Sequence, residues 1–375
     1  MVQEVGVKVD RVVLSTVGLR LKEPFQISSG VTHERRILLV FIDFAGIEGV
    51  AECVAGEAPN YTYETVETAR WVLENHLVPA ILGSTFDHPR DLTRVMARVA
   101  KGHQMAKAAL EMAGWDAWAR GRNESLSRAL GGEAESVPAG VSIGLRAEVG
   151  ELLDRVAAFL EQGYRRIKLK VEPGRDVELL EAVRRRFPDI PLTVDANAAY
   201  DVAAMRHLER LDEFDLQYVE QPFGEDEVRQ HAVLQSRLDT AVCLDETITS
   251  PARCREALAL DACRVINIKP GRVGGHGASV DIHDLCQESG VPVWCGGMLE
   301  SGIGRAHNIA LASLPNMKLP GDTSASDRYW ERDVVVPPFT LEPDGRVRVP
   351  RGPGIGVELD RDFLAAIEID RTDLY

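Results

Sequence analysis

The chain has 375 residues, enough for one large domain and a smaller one, and its 45% hydrophobic and 27% charged content is that of an ordinary soluble globular protein. A formal net charge of −15 at pH 7 argues against a nucleic-acid partner, because phosphate-backbone binding needs a basic footprint. No run approaches about 18 uninterrupted apolar residues, so no membrane span is expected.

The N-terminus, MVQEVGVKVDRVVLS, has no apolar signal segment and reads as a first strand. Six scattered cysteines (Cys53, Cys243, Cys254, Cys263, Cys286, Cys295) form no Cys-x-x-Cys pair, which suits reduced, buried thiols in a cytoplasmic protein. VDRVVLSTVGLRL and RRILLVFIDFAGIEGVAE look like strands of an antiparallel meander. YETVETARWVLENHLVPAIL and HQMAKAALEMAGWDAWARG look like helices. Residues 1–130 are therefore expected to form an α+β capping domain, with GRNESLSRALGG as the connection onward.

From residue 137 short β-rich runs alternate with helical stretches: VPAGVSIG, RRIKLKV, PLTVDAN, LQYVEQP, AVCLDE, RVINIKP, PVWCGG and KLPGDTS. The polar residues ending these runs keep a regular repeat. Lys170 to Asp195, Asp195 to Glu220 and Glu220 to Asp245 are each 25 residues, and Asp245 to Lys269 is 24. Eight such runs fit a (β/α) barrel over residues 131–325 better than an open Rossmann-like sheet, which would need a glycine fingerprint. GIGRAH at 302 has His307 where the third glycine belongs, and is a decoy. Residues 326–375 return to strand-and-turn patterns and are expected to rejoin the capping domain.

In such barrels the chemistry sits at the C-terminal strand ends. One aspartate there is usually a helix cap or an ion-pair partner. Asp195, Glu220 and Asp245 on three successive strands would converge, and gathered carboxylates repel unless a cation joins them. An all-oxygen set suits Mg²⁺, with Mn²⁺ as a substitute. Lys170 and Lys269, on the second and sixth strands, would face each other across the space beside the metal; the alternative is that they are counter-ions for the carboxylates. Lys168 and Lys170 share one strand face, roughly 6–7 Å apart. A neighbouring ammonium and a nearby Mg²⁺ would lower the pKa of a lysine acting as base, and Lys168 is also placed to donate to a substrate carboxylate. A Schiff-base aldolase would also put a lysine on strand six, but needs no three convergent carboxylates. A metal–carboxylate scaffold without turnover would not need both lysines.

The set KLK, VDAN, VEQP, LDE and NIKPGRVGG resembles the enolase superfamily in its muconate-lactonising subgroup. More closely, YRRIKLKVEPG, LTVDANAAY, WCGGMLESGIGRAHN and LPGDTSASDRYWERD are similar to the N-acylamino acid racemase/o-succinylbenzoate synthase family, over nearly the whole chain. The resemblance implies an α/β fold: a modified TIM-type (β/α)7β barrel with an α+β capping domain built from the N-terminal part and the C-terminal segment. It implies Mg²⁺ on Asp195, Glu220 and Asp245, and Lys170 and Lys269 as acid/base pair. It also implies Lys168 on the substrate carboxylate and Asn197 in a supporting place. Ser142, Gly297 and Met298 fall where the family contacts the acyl arm, and loops EPFQISSGVTHE and GEAPNYTYE would close the mouth with Phe25 and Tyr61. The implied activity is racemisation of N-acyl (N-succinyl) amino acids through a metal-stabilised enediolate, with o-succinylbenzoate synthesis for menaquinone as the other reading. The implied partners are a small N-acyl amino acid carboxylate and further copies of the chain, commonly an octamer. A mandelate-racemase-like site would use a His–Asp dyad, so His276 and His307 are expected to be structural. Asp322-Thr323-Ser324 replaces the Asp-x-Asp of dipeptide epimerases, which suits an acylated nitrogen.

Overall fold

The computed structural model describes residues 7–28, 30–146 and 148–375; residues 1–6 of the expected first strand and Ser29 of the EPFQISSGVTHE loop lie outside them. Apolar, β-branched runs form β1 (Val7–Ile27), β2 (Gly30–Phe44) and β3 (Ile47–Cys53), an antiparallel meander. The β2–β3 turn uses Ala45 and Gly46, both at positive φ (52° and 87°), the backbone that lets a two-residue hairpin follow strand twist. Helix α1 (Gln104–Gly121) crosses the sheet and is buried nearly all round, as its alanine-rich, non-amphipathic sequence allows. A Cβ on Gly49 would stand 2.2 Å from the Ala113 carbonyl oxygen, so glycine sets how closely helix and sheet approach.

Seven parallel strands follow: β4 (Gly140–Ile143), β5 (Arg166–Lys170), β6 (Leu192–Asp195), β7 (Tyr218–Glu220), β8 (Ala241–Leu244), β9 (Val265–Ile268) and β10 (Val293–Cys295). Each pairs with its sequence neighbours, as in a barrel. The eighth run, KLPGDTS, does not become a regular strand. Pro320 has no N–H for a ladder. Single bonds close the ring instead: Gly140 N donates to Gly321 O (2.7 Å) and Asp322 N to Cys295 O (2.9 Å). The last strand, β11 (Glu368–Leu374), returns antiparallel onto β1 and completes the capping sheet. Among the described residues no helix is long and apolar enough to cross a membrane.

Buried carboxylates join cap to barrel. Helices α2 (His276–Glu288) and α3 (Gly302–Ala312) follow β9 and β10, and their first N–H groups have no intrahelical partner. Glu111 of α1 accepts from His276 N and Gly277 N, both at 2.9 Å. Glu52 of β3 accepts from Ser301 N and Gly304 N, both at 3.2 Å, and from the Ser301 hydroxyl. The glycines of GIGRAH serve this packing: a Cβ on Gly302 would meet Val335 at 2.2 Å, and one on Gly304 would meet Glu52 at 2.8 Å. Nearby, His307 Nε2 donates to Val50 O (2.8 Å), which leaves its Nδ1 to accept from His276 Nε2 (2.9 Å). Burial lowers both imidazole pKa values, that of His307 to about 4, so the pair is neutral and structural, as expected.

Burial pushes the Glu52 carboxyl up to about 8 and that of Glu111 up to about 7, from an ordinary 4.5. Folded protein therefore holds protons that the unfolded chain has already released, and these groups make stability decline as pH rises through about 4.5 to 8. The urea midpoint should thus fall less steeply over that window in Glu111→Gln than in the parent; equal slopes would contradict the assignment.

Candidate active site

Strand register places the ionic side chains. Lys170 lies opposite Asp195 and Asp195 opposite Glu220 in the ladders of β5, β6 and β7. Asp245 and Lys269 are the first residues beyond β8 and β9. With Lys168 these six are nearly sealed from solvent, none more than 8% exposed. Buried charges need partners, and each has one. Lys170 Nζ is 2.5 Å from Asp195 Oδ2 and 2.6 Å from Asn197 Oδ1. Lys168 Nζ is 2.8 Å from Asp322 Oδ2, 2.9 Å from Glu220 Oε2 and 3.3 Å from Asp195 Oδ2. The two lysines thus share one carboxylate oxygen, which is how the strand tolerates them side by side. Lys269 Nζ reaches Asp245 Oδ2 (2.7 Å) and donates to the Tyr61 hydroxyl (2.8 Å), while Arg272 pairs with the other Asp245 oxygen.

The electrostatics follow from these contacts. Burial pulls the Lys168 pKa down, but Asp322, Glu220 and Asp195 outweigh it and hold the ammonium charged. Burial likewise opposes charge on Lys269, and Tyr61 and Glu246 outweigh it. Burial disfavours ionised Asp195, yet Lys170 and Lys168 keep its carboxyl below the usual range. Glu220 is raised, first by burial and then by the Asp195 charge.

A cavity of about 400 Å³ opens above this layer, with Lys170, Asn197 and Lys269 in its wall. Gly297 and Met298 line it from the barrel, Phe25 and Tyr61 from the cap. Ser142 does not line it: it pairs with Lys168 in the ladder below, buried, its hydroxyl without a partner among the described residues. Lys168 and the three carboxylates also lie beneath the cavity wall.

Several participants escaped sequence reasoning. Arg166 holds Asp322 Oδ1 with two bonds of 2.9 Å, Asn267 donates to Glu220 Oε1 (2.8 Å), and Glu246 accepts from Asn197 Nδ2 (2.9 Å). Trp294 lies beside Arg166 and Lys168, its ring centre 5.1 Å and 4.7 Å from the two cationic groups. Arg166 was within reach: in RIKLK the positions i, i+2 and i+4 share one face.

The donor set fits a hard divalent cation in kind, being oxygen only, and Glu246 Oε2 is a further buried oxygen without a hydrogen bond among the described residues. Among the described residues no three acidic, imidazole or thiol groups form a ready-made cage. Each carboxylate is drawn to an ammonium or guanidinium, so a cation bound here would draw on the same oxygens as the lysines.

Comparison with known proteins identifies the family and the fold. Residues 10–131 match the mandelate racemase/muconate lactonizing enzyme N-terminal domain, and residues 151–363 match the enolase C-terminal domain-like family. An o-succinylbenzoate synthase of Geobacillus stearothermophilus is 47% identical over 95% of both chains. An N-succinylamino acid racemase of Thermus thermophilus is 45% identical over 96% of this chain and 98% of the relative. The crystal structure of an enolase-superfamily member from Listeria innocua superposes with a TM-score of 0.94 at 39% identity, covering 98% of this chain and 99% of that one. A dipeptide epimerase of Cytophaga hutchinsonii, solved with Mg and a dipeptide, shares the fold at a TM-score of 0.90 and 23% identity, over 98% of this chain and all of that one.

Lys168→Met removes the cation facing the buried Asp195 and Glu220 and the partly buried Asp322. In chelating buffer it should cost roughly 3–5 kcal/mol of stability, and saturating Mg²⁺ should restore more stability to the variant than it adds to the parent. Equal Mg²⁺ stabilisation of both proteins would show that ammonium and metal do not share these oxygens.

Proposed function

The chain belongs to the mandelate racemase/muconate lactonizing enzyme family of the enolase superfamily, and from that premise we propose that it racemises N-acylated amino acids, N-succinyl forms above all. The observation that carries the proposal is the pair of lysines in one cavity wall, Lys170 from the end of β5 and Lys269 from the end of β9, across the ring from each other. A substrate held between them presents its α-carbon to an ammonium or amine on each face. One lysine takes the α-proton and the other returns a proton to the opposite face. Asp195, Glu220 and Asp245 would hold Mg²⁺, or Mn²⁺ in its place. When bound, the cation supplies positive charge that favours the enolised carboxylate over the free base. Lys168, kept charged by Asp322, would donate to the substrate carboxylate. Phe25, Tyr61, Gly297 and Met298 would enclose the acyl arm and side chain.

Asp322 argues for an acylated nitrogen. Its carboxylate is already engaged by Arg166 and Lys168, so it has no charge to spare for a substrate ammonium, and burying one unpaired is costly. A second reading has specific support: relatives named o-succinylbenzoate synthase and relatives named N-succinylamino acid racemase stand at similar identity. Loss of water to form o-succinylbenzoate passes through the same enediolate, so one site serves both reactions.

The single-lysine variants test the mechanism. In D₂O, Lys269→Ala should lose racemisation yet exchange the α-hydrogen of one enantiomer of an N-succinyl amino acid, and Lys170→Ala should exchange, if any, only the other. Two variants that exchange the same enantiomer, or either still racemising at the parent rate, would overturn the two-lysine reading.

A further inference from the structure

Glu246 follows Asp245 directly and is 7% exposed, yet it is absent from the cavity wall. Its Oε1 accepts from Asn197 Nδ2 at 2.9 Å, and the other end of the same amide, Oδ1, accepts from Lys170 Nζ at 2.6 Å. An ionised carboxylate only accepts hydrogen bonds. It therefore decides which end of the Asn197 amide turns toward it, and the oxygen is left facing Lys170. With the amide reversed, an NH₂ group would face an ammonium, donor against donor.

The backbone here is committed to the same end. Asn197 and Ala198 both sit in the left-handed region, at φ 44° and 60°, which residues other than glycine rarely adopt. Asn197 N donates to Asp195 Oδ1 (3.0 Å) and Ala198 N to Gln221 O (2.8 Å), and the Glu246 bond is the side-chain member of this set. Lys269 hydrogen-bonds Tyr61 and Asp245 instead; the Glu246 charge also acts on it, but among the described residues Lys269 has no hydrogen bond to Asn197, so only Lys170 is reached through that amide.

We infer that Glu246 is a positioning residue for Lys170: through Asn197 it aims that lysine, and so serves one face of the substrate. The inference rests on the two-lysine reading above, and its signature is an asymmetry between enantiomers. The enantiomer still exchanged by Lys269→Ala identifies the face of Lys170. In Glu246→Leu, of similar size but without an acceptor, α-hydrogen exchange of that enantiomer should fall about tenfold or more relative to exchange of the other. The exchange that survives on the Lys269 face reports that the variant is folded. Glu246→Gln can still accept through its amide oxygen and should restore the ratio of the two rates. Equal loss on both faces, or a ratio in Glu246→Gln as low as in Glu246→Leu, overturns the inference and leaves the two-lysine reading standing. Failure of the single-lysine variants to separate the enantiomers overturns both. If Glu246→Leu does not fold, Asn197→Ala removes the same aim from the other side. It must then show the same lopsided loss, and a uniform loss there also overturns the inference.

Discussion

Three carboxylates brought to adjacent strand ends and almost sealed from water cannot remain ionised without cations beside them, and the barrel mouth is organised around that demand. Asp195 draws Lys170 and Lys168, Glu220 draws Lys168, and Asp245 draws Lys269 and Arg272. Satisfying the acids therefore gathers basic groups at one place, and two of them reach the cavity above. The same arithmetic reaches deeper. Lys168 is shared among three acids, and Arg166 beneath it steadies Asp322, so the layer under the cavity is a closed network rather than a set of isolated pairs. On the proposed reading a divalent cation would compete with the lysines for these oxygens, which would link metal binding to the freedom of the two bases.

The capping domain enters the site through its own buried acids. Glu52 and Glu111 satisfy the N-terminal N–H groups of α3 and α2, the helices that follow β10 and β9. This fixes the cap where the end of β1 can supply Phe25 and the GEAPNYTYE loop Tyr61 to the cavity wall, and Tyr61 then meets Lys269 directly. The Glu52 contact lies close in sequence to Gly297 and Met298. The position of the cap and the shape of this side of the cavity are in this way set by one joint.

Much of this was legible in the sequence because register and repeat are local properties. The 25-residue spacing of Lys170, Asp195, Glu220 and Asp245 reports strand after strand ending at one level, and the ladders pair Lys170 with Asp195 and Asp195 with Glu220. The alternation in KLK placed both lysines on one face. The eighth run misled because its apolar and small residues read as a strand while Pro320 denies it a ladder. Ser142 was expected at the substrate and lies a layer lower, since strand periodicity gives the face but not the depth. Glu246 and Arg272 were missed for another reason: Glu246 lies in the loop just past β8 and Arg272 in the single helical turn Pro270–Val273 after β9, where side-chain direction is set by a short local turn that no strand periodicity encodes. Asn197 and Ala198 show the extreme case, a left-handed pair at positions where the sequence offers no glycine.

The central claim is that the oxygens now held by lysines are those that hold the catalytic cation. A crystal soaked in Mn²⁺ and measured for anomalous scattering tests it most directly. The account predicts one peak at the barrel mouth, roughly 2 Å from oxygens of Asp195, Glu220 and Asp245, with Lys168 and Lys170 drawn away from Asp195. A peak elsewhere, or unchanged ion pairs and no peak between the three carboxylates, would contradict it.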